Sequence, residues 1–150
     1  MHVGFSRIKT NLLLVVSTTG RSLIDCSSGE KIERDYKQFA GLDEWSLNCR
    51  GIGELQEETI SICGLNGGGL PLSNLTGERL ELVSPNWPVQ DLILCREHKS
   101  ALEDGHQSYC NVIYSDYGLR GFGFSWCGDY IVAACGSDLD VWERTGKYNE

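Results

Sequence analysis

The chain has 150 residues, 41% of them apolar and 23% charged, which fits a single globular domain and excludes a disordered or low-complexity chain. Thirteen Lys and Arg against 21 Asp and Glu leave a net charge of −8. That sign argues against direct binding of nucleic-acid phosphate and against docking on an anionic membrane, while it favours attraction of a basic protein.

The first apolar run, residues 12–17, is continuous, as expected for a central strand covered on both faces. Arg7 and Lys9 precede it in the manner of a secretory signal. The run is shorter than such a signal needs, and Ser17-Thr18-Thr19-Gly20-Arg21 ends it without a cleavage pattern, so a buried strand is the expectation. Thr18-Thr19-Gly20 then turns the chain back, and Ser27-Ser28-Gly29 turns it again, so residues 11–34 read as a three-stranded meander. Residues 35–53 lose this rhythm. Tyr36, Phe39, Leu42, Trp45 and Leu47 recur at spacings near three, which fits either a short helix over residues 42–49 or a loop with anchored aromatics.

Thr59-Ile60-Ser61-Ile62-Cys63 alternates polar and apolar residues, marking a strand with one wet face, and residues 59–84 are expected as a second meander. Residues 64–69 are a glycine-rich turn or bulge; without a following Lys-Ser/Thr they lack the signature of a phosphate loop. Ser84-Pro85-Asn86-Trp87-Pro88 forms a stiff corner, since each proline fixes its own φ and restricts the residue before it. Residues 92–95 and 110–115 are strands separated by a polar excursion. Residues 119–144 then form the third meander, turning at Cys127-Gly128-Asp129 and Gly136-Ser137-Asp138. Phe122, Phe124 and Trp126 are spaced by two and share the core face of its first strand. Ten or eleven strands are expected in all, and no run is long enough for a membrane span.

Catalytic and metal signatures are weak. No G-x-S-x-G occurs, and adjacent acids such as Glu57 and Glu58 fall where turns place solvated carboxylates. The seven cysteines contain no C-x-x-C pair, and their odd number favours reduced thiols in a cytoplasmic protein. Cys95, His98, His106 and Cys110 carry zinc-type ligands at the ends of the polar excursion, but their spacing matches no zinc motif. No catalytic residue, metal ligand or cofactor is therefore assigned.

Acidic residues concentrate in residues 30–58 beside Tyr36, Phe39 and Trp45. Together with Trp87 in the proline corner they form the candidate partner surface: Asp43, Glu44, Trp45, Glu54, Glu57, Glu58 and Trp87.

Two resemblances extend this reading. Gly121-Phe122-Gly123-Phe124-Ser125-Trp126 followed by Cys127-Gly128-Asp129 resembles a β-propeller blade in strand order and turn placement. The strand and turn pair over residues 13–32 with Ser28-Gly29-Glu30, residues 64–71, residues 84–88 and residues 121–125 together resemble small acidic bacterial immunity proteins of contact-dependent or polymorphic toxin systems. This second resemblance implies a cytoplasmic, non-enzymatic protein that binds a cognate basic toxin, such as a nuclease, and occludes its active site or substrate surface. The alternatives are a non-enzymatic β-rich adaptor module and a zinc-binding protein. The expected fold is all-β, with antiparallel meander sheets packed as a sandwich, a barrel or an open propeller-like arrangement and at most two short helices.

Overall fold

The computed structural model describes residues 1–64, 67–136 and 138–144. The chain is all-β: 52% of it lies in strands, and among the described residues no helix reaches seven residues. In chain order the strands are His2–Phe5 (β1), Leu12–Ser17 (β2), Gly20–Asp25 (β3), Glu30–Asp35 (β4), Leu42–Asp43 (β5), Asn48–Arg50 (β6), Thr59–Ser61 (β7) and Cys63–Gly64 (β8). They continue as Arg79–Asn86 (β9), Val89–Cys95 (β10), Cys110–Asp116 (β11), Leu119–Phe124 (β12), Tyr130–Cys135 (β13) and Asp138–Glu143 (β14). Single 3₁₀ turns lie at Gly53–Leu55 and Gln107–Tyr109.

These strands form four antiparallel sheets, none closed into a barrel: β4-β3-β2-β1-β8, β5-β6-β7, β11-β10-β9 and β12-β13-β14. Their stacking follows from the alternation of side chains along two strands. On β2, Leu13 and Val15 join Val3, Phe5, Tyr130, Val132 and Ala134 in one core. The intervening Leu12, Leu14 and Val16 join Cys49, Ile52, Ile60 and Ile62 in a second. On β13 the residues between those of the first core, Ile131 and Ala133, pack with Leu80, Leu92, Leu94 and Phe124 in a third. The layers therefore run from the β5–β7 sheet to the five-stranded sheet, then the β12–β14 sheet, then the β9–β11 sheet. Face-to-face stacking of short meander sheets is the packing that neighbouring propeller blades use.

The run at residues 12–17 is continuous because β2 sits in an inner layer and has no wet face. β13 is buried along its whole length for the same reason. Four expectations are corrected. Residues 59–84 do not form one meander: β7 closes the β5–β7 sheet, β8 pairs with β1 in the five-stranded sheet, and β9 pairs with β10. Residues 42–49 form neither a helix nor a loop with anchored aromatics; they make the small β5–β6 hairpin, and Trp45 points to solvent. Fourteen strands are present among the described residues, since β5, β6 and β8 are too short to leave a periodic signal. Trp126 also leaves the face of Phe122 and Phe124. It lies beyond the end of β12, packs on the first core and donates its indole N–H to the Phe5 carbonyl at 3.1 Å. The expected turn at Gly136-Ser137-Asp138 includes Ser137, and the glycine-rich turn includes Leu65 and Asn66; these lie outside the described residues.

Candidate protein-docking surface

The β5–β6 hairpin is built from both sides of its short strands. Leu42, Leu47 and Cys49 pack on the second core, which seats the hairpin on the five-stranded sheet. The Ile62 amide donates to the Leu47 carbonyl at 3.0 Å and ties the hairpin to the segment between β7 and β8. At the tip, one Asp43 carboxylate oxygen accepts the backbone N–H groups of Trp45 at 3.0 Å and Ser46 at 3.2 Å. This is the local turn that Asp makes readily, its side chain replacing a backbone acceptor. The Ser46 hydroxyl first, then the Ser46 and Trp45 amides, hold the Asp43 carboxyl below its ordinary range.

Fixed in this way, the tip projects Trp45 into solvent, the residue being 99% exposed. Phe39 and Tyr36, in the segment leading to β5, are exposed as well. Phe39, Leu42, Asp43, Glu44 and Trp45 line an open depression of about 520 Å³. Neither Asp43 nor Glu44 has an ion-pair partner among the described residues. Uncompensated negative charge therefore stands beside a large unburied aromatic.

The other candidates fare differently. Glu54 pairs with Lys9, and Glu57 pairs with Arg50 at 3.1 Å. Glu58 accepts the Ser6 hydroxyl at 2.6 Å and the Arg7 amide at 2.8 Å. Glu54 and Glu58 tie the 3₁₀ turn to residues 6–9, the connection between β1 and β2, and Glu57 ties it to β6. Trp87 is 77% exposed at the tip of the β9–β10 hairpin, joined to Pro88 by a cis peptide. Its sheet and that of Trp45 are the two outer layers, with two sheets packed between them. Asp43, Glu44 and Trp45 are brought together; Trp87 stands on another layer. Phe39 and Leu42 complete the depression, and their proximity to Trp45 comes from the β5–β6 pairing that the sequence did not signal.

The zinc-type residues are also separated in role. Cys95 and Cys110 face each other across β10 and β11, His98 lies against Gly77, and His106 Nδ1 lies 2.8 Å from the Glu103 carboxylate. Among the described residues no group of three or more His, Cys, Asp or Glu side chains is placed to hold a metal ion. No helix among them is long and apolar enough to cross a membrane.

No protein-family model, curated protein or solved structure matches this chain.

Proposed function

We propose that this chain is a non-enzymatic, stoichiometric protein-binding module whose β5–β6 hairpin docks a basic partner, and that the partner is a cognate toxin which it neutralises as an immunity protein. The observation that carries this reading is Trp45, 99% exposed on a hydrogen-bonded turn between core-anchored strands, with unpaired Asp43 and Glu44 beside it. A loose loop would have to be ordered on binding at a cost in free energy. This tip is already ordered, and preorganisation raises affinity. Covering a tryptophan side chain of roughly 200 Å² contributes on the order of 5 kcal/mol before the costs of association. The two carboxylates supply complementarity to Lys and Arg on the partner, speed encounter and reject acidic competitors. On a nuclease they would occupy sites that otherwise hold nucleic-acid phosphate.

Trp87 favours a second reading, an adaptor that engages two partners through opposite outer layers. Titration of the purified chain against the basic protein encoded beside its gene separates the two. One-to-one binding that weakens steeply with salt, is lost in Trp45→Ala and is kept in Trp87→Ala supports neutralisation through the β5–β6 hairpin. Loss in Trp87→Ala alone supports the adaptor, and no binding at low salt removes the immunity reading.

A further inference from the structure

Cys95 ends β10 and Cys110 begins β11, and the two are directly opposed in the antiparallel pairing. The backbone defines which kind of pair they form. The next residues outward, Arg96 and Tyr109, are joined by an N–H to carbonyl bond at 2.9 Å, while the Cys110 amide turns away from Cys95 to the Gln107 carbonyl. Hydrogen-bonded and non-hydrogen-bonded pairs alternate along an antiparallel ladder, so Cys95 and Cys110 are a non-hydrogen-bonded pair, with Cα atoms about 4.5 Å apart and side chains on the same face. A disulfide needs a Cα separation of about 4.4–6.8 Å. Both thiols are free.

The two environments are unequal. Cys95 is fully buried, and Cys110 is partly exposed with its Sγ 3.4 Å from the His106 carbonyl. Desolvation first, then hydrogen bonding with Cys110 and the nearby negative charge of Glu81, push the Cys95 thiol up to about 12. Glu81 is itself buried on β9, opposite Ile93, so it lies on the same face of the sheet as Cys95.

We infer that Cys95 and Cys110 form a reversible two-electron thiol pair, which closes to a cross-strand disulfide by exchange with a low-molecular-weight disulfide such as oxidised glutathione. The Cys110 thiolate attacks one sulfur of the small disulfide, forming a mixed disulfide and expelling one small thiolate. The Cys95 sulfur then attacks Cys110 Sγ, and the second small thiolate leaves, taking the Cys95 proton as it departs. Two protein thiols are oxidised to one disulfide while one small disulfide is reduced to two small thiols. The closed bond clasps the base of the polar excursion, residues 96–109, and excess small thiol reopens it by the reverse exchange.

The test uses the folded Cys127→Ser chain, which removes the exposed thiol at position 127. The chain is incubated with oxidised glutathione, quenched with acid and digested with trypsin. Cleavage after Arg96 and Lys99 puts Cys95 and Cys110 in separate peptides unless they are bonded. The expected result is one cross-linked peptide pair, lighter by two hydrogens than its reduced halves and separated by added thiol. In Cys95→Ser, Cys110 should stop at the mixed disulfide. In Cys110→Ser, Cys95 should react at least roughly ten-fold more slowly than Cys110 does in the parent. A parent chain that gives only mixed disulfides, a linkage between other cysteines, or no modification at Cys110 would overturn the inference. So would a Cys95 that reacts in Cys110→Ser as fast as Cys110 in the parent.

Discussion

Glu78 and Arg144 stand 66 positions apart in the chain and meet as a two-point ion pair. Arg144 Nε donates to Glu78 Oε2 at 2.9 Å, and Arg144 Nη2 to Oε1. The Glu78 side chain is only 3% exposed and also accepts the Asn74 side-chain amide at 3.0 Å. The pair joins the entrance to β9 with the end of β14, and so links two adjacent layers of the stack.

Removing one partner of a buried pair leaves an uncompensated charge, while replacing both with apolar groups does not. Arg144→Ala is therefore expected to destabilise the fold by about 3 kcal/mol, the low end for such pairs because Arg144 is partly exposed. The double variant Glu78→Leu/Arg144→Leu should recover most of that loss. Urea unfolding measures both, and additive losses in the double variant would show that the two residues act independently.

Two glycines separate crowding from backbone strain. A Cβ on Gly4 would lie 2.2 Å from the Ser61 carbonyl oxygen, because β1 runs close against β7 of the neighbouring sheet. Gly4→Ala should cost about 3 kcal/mol by forcing that approach apart. Gly29 has φ +76° in the β3–β4 turn and nothing within 4 Å of a Cβ. Gly29→Ala should cost about 1 kcal/mol, from the left-handed backbone alone. Equal losses in thermal unfolding would refute this distinction.

Acid should weaken the fold below about pH 4. Asp25 is held below its ordinary value of 3.8 by hydrogen bonds from Ser27 and Asn11, and Asp35 by the guanidinium of Arg21. A depressed folded-state value means that stability is fully present above the unfolded value and is lost as pH falls through the folded one. The urea midpoint should be flat from pH 7 to near pH 5 with respect to these groups, then fall steadily toward pH 2. Asp25→Asn should make that fall shallower. An unchanged slope would mean that Asp25 does not contribute to it.

Trp45→Ala should leave unfolding unchanged to within about 0.5 kcal/mol, because the side chain touches solvent and little else. Its cost to partner affinity should be about 2 kcal/mol or more, roughly thirty-fold or greater. Asp43→Asn keeps the acceptor for the Trp45 and Ser46 amides but removes the charge, and should slow association chiefly at low salt. Surface plasmon resonance against the basic partner reads both effects. A Trp45→Ala chain that binds like the parent would exclude the hairpin from the interface.

The sequence by itself determined the elements whose signals are local. The third meander was legible because Cys127-Gly128-Asp129 supplies a turn between two apolar strands, and β13 begins and ends where its apolar run does. The continuous run at residues 12–17 revealed an inner strand, since only a strand covered on both faces can bury five successive side chains, as Leu12 to Val16 are buried. The acidic, aromatic segment was visible in composition. Tertiary structure alone decided that residues 59–84 are divided among three sheets, because strand pairing depends on which edge is free, and an alternating pattern does not encode its neighbour. It also decided which acids remain uncompensated. Glu54, Glu57 and Asp43 look alike in sequence, but Lys9 and Arg50 reach the first two across folded distances, whereas Asp43 faces its own turn and solvent.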